Sequence, residues 1–378
     1  MSILKLFLLG SLPRWSAPLG RWRSRSTQTL MLWVGVIFLA EPMLVHAEGQ
    51  SFDAPGPYEV SMSDVKQEGL LFLPKSESSA GKKWPVVVFA HGLCGPAKRY
   101  SDSLTRIASW GFIVLANQKQ EDCGLMDASK PLSSLGNFFL MPFKFEHAVS
   151  FSTMIKNVES NIDYLLKRPD VDPDRLGLLG HSMGGGIVFD VAASLEKSRP
   201  GAVKAVIGVA PWNGVRPTPS TVVDQIKAPV LIVCSPSDKL CPCSGEVTIT
   251  DTQGLVTGPA ALGIPLLFGP DADSTWHGGS VAIFEHARDA TLIEVSSVSH
   301  FTIMGTDDGE QMQNLSDWAG RQSGLNFNHP DRTYQEIPTL GYAVAFLNAT
   351  MNLNRTAGQS VLESASTDRR LLKVQRSN

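Results

Sequence analysis

Apolar positions along this 378-residue chain switch repeatedly between a strand-like and a helix-like period. Trp84-Pro-Val-Val-Val-Phe-Ala-His-Gly92 is a continuous apolar run of strand length, as expected where both faces of a sheet are covered. Leu104, Ile107 and Ala108 then predict a helix over Ser101 to Trp110, with Gly111 as its stop, and Phe112-Ile-Val-Leu-Ala116 returns to strand. From Phe151, the spacing of Met154, Ile155, Val158, Ile162, Leu165 and Leu166 makes one helical face. Strand runs recur at Leu176 to Leu179, Ala205 to Ala210, Val230 to Cys234 and Thr291 to Val295, and an amphipathic helix is expected near Leu340 to Met351, with Val344 and Leu347 on one stripe. Ahead of all these, Tyr58 to Leu73 alternates loosely around Gln67-Glu-Gly69, the pattern of antiparallel edge strands. This rhythm predicts the α/β class, a mostly parallel twisted sheet with helices on both faces, whose functional groups gather beyond the carboxyl ends of the strands.

Three stretches depart from that rhythm. Asp122 to Glu146 is irregular and long for a connection, which marks it as functional or mobile. Residues 244–286 are rich in Gly and Pro and read as an insertion, and 355–378 read as a polar, disordered tail. One domain is therefore expected over 48–354, following a leader over 1–47. The leader has no acidic residue before Glu41 and carries Lys5, Arg14, Arg21, Arg23 and Arg25 ahead of the apolar run Leu30 to Ala40. It reads as a secretory signal with a cut after Val45-His-Ala47; an uncleaved anchor or an organelle address, such as a plastid's, is the alternative.

Hydrophobic content of 43% against 18% charged residues describes a chain with ample core. Loss of the leader would change the formal charge from −3 to −7, because it takes away five Lys or Arg and one Glu (−3 − 5 + 1). An acidic surface argues against nucleic acid as a partner; a monomer, with at most transient contact with a lipid surface, is expected. The sequons at Asn314, Asn348 and Asn354 are compatible with a glycosylated, secreted protein. Of the five cysteines, Cys234 lies within an apolar strand and reads as a buried free thiol. One or two bridges are expected among Cys94, Cys123, Cys241 and Cys243, with no connectivity readable. Cys241-Pro-Cys243 lacks the partner set of a zinc site, so no metal is implied.

The chemistry is carried by Leu176-Gly-Leu-Leu-Gly-His-Ser-Met-Gly-Gly-Gly186. A strand running through a glycine-flanked serine into a helix is a nucleophile elbow: Gly180 and Gly184 permit a turn tight enough to lift Ser182 clear of the sheet. Met183 opens the helix, so its N–H faces any negative charge that develops on an attacked carbonyl. A serine needs a base and a carboxylate that orients the base, in the chain order Ser, acid, His for this kind of sheet. Asp238 directly follows the strand ending at Cys234, whereas Asp224, Asp251, Asp271 and Asp273 do not end a strand. His300 follows the last strand by a short loop; His277 and His286 come too early, His181 is expected to pack beside the elbow, and His147 and His329 have no supporting context. Leu93, after His91-Gly92, is the expected second N–H donor to the oxyanion.

Gly180-His-Ser-Met-Gly184, Ala210-Pro-Trp-Asn213, Ser237-Asp-Lys-Leu-Cys-Pro242 and Ser299-His-Phe301 together resemble the α/β-hydrolase cluster of cutinase-like polyester hydrolases and related lipases. That resemblance covers roughly Gly56 to Leu353 and implies that Trp212 walls an acyl subsite, beside Leu93; read from the residues alone, Trp212 is equally a partly exposed core residue. His91-Gly-Leu-Cys-Gly-Pro-Ala-Lys-Arg-Tyr-Ser101 is similar to chlorophyllases, and platelet-activating-factor acetylhydrolases share the layout. The long interval from Asp238 to His300 and the insertion over 244–286 fit none of these patterns. The expectation is a serine carboxylic-ester hydrolase working through an acyl-enzyme without a cofactor. Cleavage of the phytyl ester of chlorophyll, amidase or peptidase action by the same triad, and a non-catalytic scaffold are the alternatives.

Overall fold

The computed structural model describes residues 51–66, 69–76, 81–92, 95–117, 151–214, 218–238, 240–251, 254–259, 278–296, 298, 300–305, 338–351 and 353–377. Strands β1 (Val60–Val65), β2 (Gly69–Pro74) and β3 (Trp84–Ala90) are followed by helix α1 (Ser101–Ser109) and strand β4 (Ile113–Ala116). Next come α2 (Phe151–Leu166), β5 (Val171–His181), α3 (Met183–Ser198), β6 (Val203–Val209) and β7 (Val230–Cys234). The chain closes with β8 (Glu246–Asp251), β9 (Gly254–Pro259), α4 (Gly279–His286), β10 (Ala290–Val295), α5 (Pro338–Thr350), α6 (Arg355–Ser364) and β11 (Leu371–Arg376).

Among the described residues, nine strands form one sheet in the order β1-β2-β4-β3-β5-β6-β7-β10-β11. The pairings from β4 through β10 are parallel, while β1 with β2, β2 with β4 and β10 with β11 are antiparallel, so the edges differ from the centre. Every residue of β3, β4 and β7 is buried, which is why these strands carry uninterrupted apolar runs. Val86, Val88, Leu176 and Leu178 pack with α2 and α3 on one face, and Val87, Phe89, Leu179 and Ile207 pack with α1 and α5 on the other. This is the expected α/β architecture, mostly parallel with helices on both sides.

Strand β5 is irregular over Asp172 to Arg175, where the register with β3 jumps from Trp84–Val171 to Val86–Leu176 and Arg175 Nε donates to Asp172 Oδ2 at 2.6 Å. Two expectations need correction. Helix α5 is not amphipathic: residues 338–349 are all buried, because it lies between the sheet and α6. Of the tail expected to be disordered, the described residues 355–377 form α6 and then β11, which completes the sheet beyond β10. Arg370 explains how so polar a tail docks: it pairs with Asp368 at 2.7 Å and with Asp53 at 2.9 Å, while Tyr342 Oη donates to Asp368 Oδ2 at 2.7 Å. Within 244–286, the described residues form the antiparallel pair β8–β9 and helix α4. The leader and the irregular stretch 122–146 lie outside the described residues.

Candidate functional site

Ser182 occupies the junction between β5 and α3 with φ 56° and ψ −123°, one of two positive-φ residues other than glycine among those described. A side chain at Gly180 would collide with the carbonyl of Gly184, and one at Gly184 with that of Ala90, so the elbow closes only with glycine at both places. Backbone bonds fix it from outside as well: Ser182 N–H donates to Val209 O at 3.0 Å, and Trp212 N–H to Ser182 O at 2.9 Å. Ser182 itself is half-buried, and the first-turn N–H of Met183 has no intrahelical acceptor.

Asp238 and His300, 62 residues apart, come together at the carboxyl ends of β7 and β10, with His300 Nδ1–H donating to Asp238 Oδ2 at 2.7 Å. The other carboxylate oxygen, Oδ1, accepts the N–H groups of Leu240 at 2.8 Å and Cys241 at 3.0 Å. Burial pushes the Asp238 carboxyl up, but the charge and hydrogen bond of His300 and these two backbone donors outweigh it and hold the carboxyl below its ordinary range. Of the other acid candidates, Asp224 is exposed in the approach to β7, and Asp271 and Asp273 lie outside the described residues. His286 ends α4; His147, His277 and His329 lie outside the described residues.

The loop that carries Asp238 is covalently closed. Cys234 at the end of β7 is bonded to Cys243, which corrects the reading of Cys234 as a free thiol; the Cα atoms stand 5.3 Å apart, within the span a disulfide bridges. Among the described residues the free cysteine is Cys241, buried close to the Ser182 hydroxyl and to Asp238. Burial, reinforced by the neighbouring Asp238 carboxylate, raises this thiol well above its usual range, so it stays protonated. Neither the bridge nor the serine contact was visible in the spacing of the cysteines. Cys94 and Cys123 lie outside the described residues.

Leu93 also lies outside them, but its neighbours frame the loop after β3. Gly95 N–H donates to Gly92 O at 3.1 Å, and His91 Nδ1–H reaches the same carbonyl at 2.8 Å. Trp212 is buried, at 4% exposure, with its ring 5.5 Å from that of Phe151, so in this structure it belongs to the core. His181 does more than pack, being hydrogen-bonded through both ring nitrogens, to Tyr100 Oη at 2.9 Å and to His300 O at 2.8 Å. Asn348 is buried in α5 with its amide donating to Val344 O at 2.9 Å, so that sequon is closed to glycosylation in the folded chain. Among the described residues, no group of three His, Cys, Asp or Glu is placed to hold a metal ion.

A parallel-centred sheet with a serine elbow in mid-sheet and a carboxylate-imidazole pair at the ends of β7 and β10 is the arrangement of the α/β-hydrolase fold. More narrowly, residues 68–253 match the model of the dienelactone hydrolase family. The chain is 38% identical over 202 residues to bis(hydroxyethyl) terephthalate hydrolase of Streptomyces coelicolor, covering 50% of this chain and 53% of that one. It is 24% identical over 191 residues to platelet-activating factor acetylhydrolase of Cavia porcellus, covering 42% of each. The chain thus spans about half the length of the curated relatives it matches.

Proposed function

We propose that this protein is a serine carboxylic-ester hydrolase in which Ser182 is the nucleophile, His300 the base and Asp238 the group that orients it. The observation that carries the reading is the buried 2.7 Å bond from His300 Nδ1 to Asp238, which leaves Nε2 as the imidazole's free acceptor. The Ser182 hydroxyl hands its proton to Nε2 as the oxygen attacks the ester carbonyl. Met183 N–H, with Leu93 N–H as the second donor, then stabilises the tetrahedral oxyanion. His300 returns the proton to the departing alcohol, and water repeats the sequence on the acyl-enzyme.

The Streptomyces relative's name supports a small ester of an aromatic acid as substrate, and the acetylhydrolase supports a short acyl group. Polyester or lipid cleavage, as in cutinases and lipases, is the broader form of the same proposal. Labelling with a fluorophosphonate, followed by a panel of p-nitrophenyl esters, terephthalate diesters, chlorophyll and amides, tests it. Ser182→Ala is expected to abolish labelling and to cost at least about 10³-fold in ester turnover. Wild-type turnover by that variant would overturn the assignment, and chlorophyllide formation or amide turnover without short-ester cleavage would replace the substrate class.

A further inference from the structure

A chain of three hydrogen bonds runs beneath the site and joins segments far apart in sequence. Gly92 N–H donates to Tyr100 Oη at 3.1 Å, Tyr100 Oη lies 2.9 Å from His181 Nδ1, and His181 Nε2 lies 2.8 Å from the carbonyl oxygen of His300. Its directions are forced. A carbonyl only accepts, so Nε2 carries the proton; the neutral ring then offers a lone pair at Nδ1, and Tyr100 O–H must donate there while its oxygen accepts from Gly92. Both ring nitrogens of His181 and the hydroxyl of Tyr100 are thereby satisfied.

The surroundings keep those protons fixed. Burial, with the charge of His300 next, drives the His181 imidazole well below its usual range, and burial drives the Tyr100 phenol far above its own. The His181 and His300 rings lie 4.6 Å apart, and Tyr100 packs against Phe89 at 4.8 Å. Space is equally constrained: a Cβ on Gly92 would stand 3.1 Å from Ser182 Cβ and 3.2 Å from both His181 Nδ1 and Tyr100 Oη, and one on Gly95 would stand 2.9 Å from that hydroxyl. Because Tyr100 engages the N–H of Gly92, that group is not free to serve an oxyanion, and the loop's donor has to come from a later residue.

We propose that Tyr100 and His181 are positioning residues: a buried strut that sets the loop after β3, which supplies an oxyanion donor, against the elbow and the His300 backbone. The inference rests on the reading of Ser182 and His300 given above. Neither side chain touches substrate; the strut acts by keeping donor and base in register with the nucleophile, where a displacement of about 1 Å can cost on the order of 10²-fold.

Tyr100→Phe removes the hydroxyl and keeps the ring, and His181→Gln is the second variant should the first not accumulate as folded protein. Each is checked by circular dichroism and thermal melting, then assayed well below its melting temperature. The expected result is a fall in kcat of roughly 10- to 100-fold with KM within about threefold, and a parallel loss of affinity for phenylboronic acid, whose tetrahedral adduct needs the same oxyanion geometry. A folded variant with a lowered melting temperature but wild-type kcat and boronate affinity would overturn the strut, since that is what a purely structural role produces. Ser182→Ala, run alongside, separates the two failures: if it is inactive while the strut variants are normal, only the strut falls, and if it is active, the site reading falls and the strut with it.

Discussion

Ser182 and the Asp238–His300 pair, the proposed nucleophile and acid-base pair, sit on the same rim of the sheet but are held by opposite means. The elbow is fixed by what its residues lack: without side chains at Gly180 and Gly184, β5 can turn into α3 with their backbones in contact and Ser182 at φ 56°. The acid loop is fixed by what is added to it. The Cys234–Cys243 bridge closes it, Asp238 accepts two of its backbone N–H groups, and Ser237 Oγ–H reaches across to Val298 O at 3.2 Å in the base's loop. A geometry forced by local sterics needs only a short sequence, whereas a loop that must find a partner 62 residues away needs cross-links.

That difference predicts where each half breaks. The largest effect is expected from Asp238→Asn, which keeps the volume but trades the acceptor of His300 Nδ1–H for an amide; kcat on a p-nitrophenyl ester should fall roughly 10²- to 10⁴-fold with the fold intact. A loss below tenfold would detach the acid loop from the reaction. Next comes the paired change Cys234→Ser with Cys243→Ser, which opens the closed loop and is expected to cost roughly 2–3 kcal/mol in denaturant unfolding by the chain-entropy account. Unchanged stability would mean that the carboxylate's hydrogen bonds alone hold the loop.

The same contrast governs what was legible beforehand. The sheet's centre could be read because strands buried on both faces have to be apolar throughout, as β3 and β7 are. Ser182 could be read because glycine at 180 and 184 has a steric cause confined to the motif. Asp238 and His300 came from chain order and strand ends. The Cys234–Cys243 pairing, the contact of Cys241 with Ser182 and the bonds of His181 and Tyr100 were hidden, because each depends on which loops meet in space and leaves no period in the sequence. The tail was misread for a related reason: β11 is half exposed, and its docking depends on Arg370 meeting Asp53 across 317 residues, a pairing that hydropathy does not register.

The smallest expected effect lies on the helix that follows Ser182. Asp190 in α3 is partly buried, and burial, followed by the facing charge of Glu159 and opposed by Lys197, raises its carboxyl from 3.8 to about 6. The sign follows from linkage. Below pH 3.8 the group is protonated whether the chain is folded or not and has no effect; between 3.8 and about 6 the folded form takes up a proton; above about 6 both forms are ionised and the folded one bears the full penalty. Asp190→Asn is therefore expected to stabilise the protein at neutral pH by about 1 kcal/mol, after discounting for the solvent that screens a half-exposed group. Thermal melting of both proteins from pH 4 to 8 measures it: the gain should shrink as the pH falls below 6 and vanish near 4. A gain of the same size at every pH would trace the effect to helix propensity or packing instead of charge, and would leave the helix behind the elbow free of electrostatic cost.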